Sequence, residues 1–190
     1  MAIGRVTIRP YLSPTLVFLA YDWPDGRAHP DFLGFAIRRA PGFTTGEKQG
    51  YLLNKIGFVA PTSGGHSMPS NVAPIQKFHW WDSAIKTEDR GKSFKYTVVP
   101  VLGTGPNDLR LQEDAAQTVA VTIPRVVTGG IGTYFNRAVV SSRAFAREFP
   151  SGHMDIDKAM AWLANGLEHA IPDFVNGAGA VEGAITSSSC

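Results

Sequence analysis

Five consecutive residues, Phe78-His79-Trp80-Trp81-Asp82, bring an imidazole, two indoles and a carboxylate together. Neighbouring residues of a strand point to opposite faces, so one of Trp80 and Trp81 belongs to a core and the other faces outward or lies at a domain boundary. An outward indole beside His79 is a stacking platform for a sugar or a base; the plainer reading is that it covers the C-terminal segment. Trp80, Trp81 and His79 are therefore the candidate ligand-binding residues. Lys86, Arg90, Lys92 and Lys95 follow closely, but Glu88 and Asp89 dilute them, which reads as a solvated loop.

Other chemistry is poorly served. The histidines stand at positions 29, 66, 79, 153 and 169, and no pair has the four-residue spacing that puts two imidazoles on one helix face for a metal. His153, Asp155 and Asp157 offer one nitrogen and two oxygens to a cation, yet acidic residues opening a helix already have a role in balancing its dipole. Gly103-Thr104-Gly105 and Gly130-Ile131-Gly132 fall short of a phosphate-cradling loop and read as turns. Ser141-Ser142 lacks the glycine-flanked elbow of a serine nucleophile. An enzyme with an unfamiliar site would need groups such as His79 and Asp82 gathered in one pocket. The residues thus predict no catalytic set, no metal site and no cofactor.

The elements holding these residues are short and strand-like. Apolar runs predict strands at Arg5 to Arg9, Leu16 to Asp22, Phe32 to Arg39, Tyr51 to Val59, Gln76 to Asp82, Phe94 to Leu102 and Thr118 to Ile123. Turn-forming groups such as Trp23-Pro24-Asp25-Gly26, Ala40-Pro41-Gly42 and Asp89-Arg90-Gly91 separate them. Phe94, Tyr96 and Val98 alternate with Lys95 and Thr97, the period of a strand with one buried face. The predicted fold is mainly β: an antiparallel sandwich of immunoglobulin or fibronectin type III kind over residues 1–125, with Tyr96 placed to supply a tyrosine corner.

Residues 126–150 read as a connector, because Thr128-Gly129-Gly130-Ile131-Gly132 leaves the backbone free. Within it, Asn136 to Val140 is one more candidate strand, and Ser141 or Ser142 is a candidate cap for a short helix through Phe149. Residues 151–190 form a short helical segment. Ile156, Met160, Leu163, Leu167 and Ile171 recur at three- and four-residue intervals on one face, and Pro172 is expected to end or kink that helix.

A chain of 190 residues with 44% hydrophobic and 18% charged residues can bury a sizeable core. Its formal charge of +2 does not by itself point to nucleic acid or anionic membrane, although local patches remain open. The lone Cys190 excludes an intrachain disulfide and a cysteine zinc cluster. The longest early apolar run, Leu16 to Tyr21, is far shorter than the roughly 20 residues of a membrane-spanning helix. No secretory signal pattern opens the chain, so a soluble, cytoplasmic protein is expected.

The phrases Leu19 to Pro24 (LAYDWP), Phe32 to Arg39 (FLGFAIRR), Asn54 to Phe58 (NKIGF), Pro74 to Asp82 (PIQKFHWWD), Tyr134 to Ser142 (YFNRAVVSS) and Trp162 to Gly166 (WLANG) stand out along the chain. Together they resemble the N-terminal region of bacterial proteins of the phospholipase D-like family. In that family the chemistry belongs to His-x-Lys-x4-Asp motifs in a following α/β domain, where one histidine attacks a phosphodiester and another acts as general acid. Neither motif is here: the residues two after His29, His66, His79, His153 and His169 are Asp31, Met68, Trp81, Asp155 and Ile171. Without the lysine that balances developing charge, activity should be lost rather than weakened.

The resemblance therefore implies a non-catalytic accessory module followed by the truncated start of a catalytic domain. Its expected partner is the catalytic domain of a phospholipase D-like parent, or another copy of the chain through the helix at 155–171. The alternative from the residues themselves is an independent β-sandwich binding module using exposed aromatics.

Overall fold

The computed structural model describes residues 4–58, 67–132, 134, 145, 148–149 and 155–179. The chain divides into two compact units, Met1–Arg125 and Val126–Cys190. It is mainly β, with antiparallel sheets and a short helical segment towards the C-terminus.

In the first unit, one sheet has three strands: β1 (Thr7–Ser13), β2 (Leu16–Asp22) and, beyond four intervening strands, β7 (His79–Asp82), in the order β1-β2-β7. A second sheet is built on β3 (Phe32–Ala40) and β8 (Ser93–Leu102), flanked by β4 (Gly50–Tyr51) and β10 (Gln117–Thr122), in the order β10-β8-β3-β4. β9 (Arg110–Leu111) also pairs with β8, and β5 (Leu53–Asn54) pairs with β6 (Met68–Pro69).

Alternation builds the core. Val17, Leu19 and Tyr21 of β2 share one buried cluster with Phe35 and Ile37 of β3 and with Phe94, Tyr96 and Val98 of β8. One face of the first sheet thus packs with one face of the second. The opposite face of the second sheet buries Ala36, Val99 and Val101 under Tyr51, Leu109, Leu111 and Ala116.

Two predicted strands are longer than the observed ones. Of the stretch Tyr51 to Val59, the described residues through Phe58 yield only β4 and β5, and the Asn54 amide donates to the carbonyls of Ile56, Ala73 and Pro74 at 2.9, 3.2 and 3.1 Å. The bond to Ile56 closes a local turn, and the bonds to Ala73 and Pro74 tie the end of β5 to a segment outside its ladder with β6. The predicted Gln76–Asp82 strand begins at His79, and the approach to it is held instead by an isolated bridge between Phe35 and Ile75. Gly34 makes that bridge possible: its φ is +131°, and a β-carbon there would lie 2.6 Å from the Ile75 carbonyl oxygen.

β1 runs through Pro10 rather than stopping at Arg9, as an edge strand allows, since a proline there need not break a ladder on both sides.

In the second unit, the predicted free connector contains a hairpin, β11 (Val127–Thr128) with β12 (Ile131–Gly132). Gly129 and Gly130 form its two-residue turn at φ +60° and +80°, so the glycines shape a tight reversal instead of loosening the chain. The expected strand Asn136 to Val140 and the caps Ser141 and Ser142 lie outside the described residues.

The expected single helix at 155–171 is two helices, Ile156–Ala164 and Leu167–Gly179. The break falls at Asn165, in the left-handed region at φ 53°, and Gly166 at φ +95°, a usual way to stop a helix. Pro172 lies inside the second helix and does not end it. Phe145 and Phe149 meet Trp162 with ring centroids 5.9 Å apart in each pair, and Ala159 of the first helix is buried. No helix among the described residues is long and apolar enough to cross a membrane.

Candidate ligand-binding face

The outer face of the three-stranded sheet is set by the β1–β2 hairpin. Pro14-Thr15 closes it with Ser13 opposite Leu16, and this register places Tyr11 opposite Phe18 and Arg9 opposite Ala20. β7 then brings Trp81 opposite Phe18 and His79 opposite Ala20. Two rows cross the sheet: Tyr11–Phe18–Trp81, and beside it Arg9–Ala20–His79.

The first row is aromatic throughout. Ring centroids are 5.9 Å apart for Tyr11 and Phe18 and 6.1 Å for Phe18 and Trp81. His79 lies 5.7 Å from Phe18, with its ring within 26° of parallel, and 6.1 Å from Trp81. Tyr11 is 56% exposed and Trp81 47%, so the two ends of the row present ring surface to solvent while Phe18 and His79 are half-buried between them. Ala20 has no ring and leaves the second row low between Arg9 and His79.

Trp81 faces outward because its neighbours are pinned inward. Trp80 packs against the main core from the other side of the strand. Asp82 is 2% exposed and takes three hydrogen bonds: from Arg39 Nη1 and the Tyr96 hydroxyl to Oδ2, each at 2.9 Å, and from the Ala84 amide to Oδ1 at 2.9 Å. The Arg39 guanidinium also donates to the carbonyls of Pro41 and Gly42 and lies 3.9 Å from the centre of the Phe43 ring. Burial, and then the neighbouring Asp82 charge, pushes the Tyr96 hydroxyl well above the ordinary tyrosine range, so it stays a donor. With the carboxylate fixed from three directions, β7 cannot turn over without stranding a buried charge.

The predicted trio is therefore divided. Trp81 and His79 share the outer face, and Trp80 lies on the core side and is removed from the platform. His79 and Asp82 also point to opposite sides of β7, so they do not form the pocket that an unfamiliar active site would need. Tyr96 binds the Asp82 side chain rather than main chain a few residues upstream, so the tyrosine-corner expectation is not met.

Tyr11 and Phe18 escaped the sequence reading. Every residue from Leu16 to Tyr21 is apolar, which hides the period of two. The signal that finds them is the hairpin: a two-residue turn at Pro14-Thr15 makes paired positions sum to 29, matching 11 with 18.

Compared with family models, curated proteins and solved structures, the chain matches none.

Among the described residues, no group of three or more histidines, cysteines, aspartates or glutamates is placed to hold a metal ion. His153 is outside that set. Asp155 accepts a bond from the Lys158 amide at 3.2 Å and caps the first helix, and those bonds from Lys158 hold its carboxyl below the usual carboxylate range.

Proposed function

We propose that the chain is a non-catalytic binding module that holds its ligand by ring stacking on the outer face of the three-stranded sheet. The observation that carries this reading is the Tyr11–Phe18–Trp81 row: three aromatic rings at about 6 Å steps, exposed at both ends and backed by His79. A scaffold role needs no such surface. The test is titration of tryptophan fluorescence with ring-bearing ligands. Saturable quenching in the native protein that is lost in Trp81→Ala supports the reading, and a flat response with every ligand overturns it.

A second reading, accessory module of a phospholipase D-like phosphodiesterase, draws on where the resembling phrases fall. Phe32 to Arg39 lies within β3, Pro74 to Asp82 spans the Ile75 bridge and β7, and Asn54 is the buried amide that ends β5. They are packing elements, as a shared fold would require. The strand order also favours the predicted fibronectin type III kind of sandwich: of seven main strands, the first, second and fifth form one sheet and the fourth, third, sixth and seventh the other. In this reading the helical segment at 155–171 meets the parent's catalytic domain or another copy of the chain, and the protein is cytoplasmic, in keeping with its single cysteine. The purified chain is expected not to hydrolyse bis(p-nitrophenyl) phosphate. Turnover that co-purifies with the protein through successive columns overturns this.

A further inference from the structure

We infer that the ligand of the aromatic face is single-stranded nucleic acid. The inference rests on the stacking reading above and adds the charge distribution along the same sheet. β1 starts, β2 ends and β7 starts at one end of that sheet, since the three strands alternate in direction. Exposed cations gather there. Arg9 lies in the row next to the aromatic one, Arg5 stands two residues before β1, and Lys77 two residues before β7. Among the described residues, none of these three takes part in an ion pair; of the carboxylates near that end, Asp22 closes β2 and Asp25 accepts from the Gly4 amide at 2.6 Å.

The face therefore presents flat ring surface at Tyr11 and Trp81 and positive charge at Arg9, with Arg5 and Lys77 exposed in the segments that lead into β1 and β7. Side chains two apart on one strand face stand about 6.8 Å from each other, so Arg9 is one such step from Tyr11. A ligand matching this arrangement carries planar rings on one side and repeated negative charge on the other. Single-stranded nucleic acid has that chemistry: bases stack on aromatic rings with little sequence preference, and phosphates follow the cations. A neutral saccharide would use the rings but leave the three cations without a counterpart, and a duplex hides its base faces.

The test is fluorescence anisotropy of labelled fifteen-residue oligothymidine and oligouridine with the full chain, at low and at moderate salt. Saturable binding is expected, with Trp81→Ala weakening it about 5- to 150-fold, as the loss of one stacked base of about 1–3 kcal/mol implies. Trp81→Phe, which keeps a ring, should restore most of it, and unchanged circular dichroism of both variants shows that folding is not the cause. Arg9→Gln combined with Lys77→Gln should reduce the slope of log affinity against log salt by about 1.4, at about 0.7 per phosphate contact. Absence of saturable binding, or binding indifferent to Trp81→Ala or to salt, overturns the inference. If a neutral oligosaccharide such as cellohexaose quenches Trp81 while oligothymidine does not bind, the stacking face stands and its nucleic-acid assignment falls. If neither ligand acts, both fall.

Discussion

Asp82 and Arg39 meet inside the first unit at 2.9 Å, Oδ2 to Nη1, with 2% and 4% of their side chains exposed. The pair joins β7 of one sheet to β3 of the other, and Tyr96 on β8 donates to the same carboxylate oxygen. A buried pair of this kind contributes less to stability than its geometry suggests, but breaking it is costly because the remaining charge has no water to return to. It also fixes which side of β7 faces outward, and so it positions Trp81.

Asp82→Ala leaves the Arg39 guanidinium buried beside two carbonyls and an aromatic ring but without its counter-charge. A loss of about 3–5 kcal/mol is expected. Tyr96→Phe removes only one bond to a charged acceptor, and about 1.5–3 kcal/mol is expected. Urea unfolding of the two variants should rank them in that order; equal losses would mean that the pair does not bear on stability in this way.

The two tryptophans should separate cleanly. Trp80→Ala opens a space against the main core and is expected to cost about 3 kcal/mol, at the low end for aromatic truncations. Trp81→Ala, on the exposed face, should change stability by less than about 1 kcal/mol. Thermal melts of both read this directly, and the reverse order would place the platform on the wrong side of the strand.

Gly34→Ala combines an unfavourable φ with a clash against the Ile75 carbonyl. Backbone strain alone costs about 1–3 kcal/mol. Hydrogen exchange should show faster exchange of the Phe35 and Ile75 amides, which bond each other's carbonyls at 3.0 and 2.8 Å. Slow exchange retained at both would show that the chain accommodates the added methyl.

Acid should loosen one turn. The Glu47 carboxylate accepts from the amides of Phe43 and Thr44 at 2.6 and 3.0 Å, and these bonds hold its carboxyl below the usual range. A lowered folded-state value means that its contribution is fully present above the ordinary glutamate value of about 4.3 and disappears as pH falls through the folded-state value. The amide proton shifts of Phe43 and Thr44 should titrate together below that ordinary value. Glu47→Gln should abolish the titration, and persistence of it in the variant would assign it to another group.

Pro172 lies in the interior of the helix Leu167–Gly179, where it has no amide to offer the carbonyl four residues earlier. Pro172→Ala is expected to stabilise that helix by up to about 3 kcal/mol and to raise helicity by circular dichroism. A fall in helicity would show that the proline's fixed φ matters more than the bond it removes.

The amino-acid sequence on its own determined the β-rich class, the strands β2, β3, β8 and β10 to within one or two residues, and the opposed faces of Trp80 and Trp81. These follow from local rules, alternation along a strand and turn chemistry between strands, which need no partner. Other features needed the folded chain. Asn54 ends its strand by bonding Ala73 and Pro74, some twenty residues on. Pro172 is tolerated within its helix, while Asn165 and Gly166 make the break that the apolar period had concealed. Above all, Tyr11 and Phe18 join Trp81 only through strand register, and β7 keeps its face only through Arg39 and Tyr96. A binding surface assembled across three strands is a property of pairing and packing between distant residues, which a local pattern does not encode.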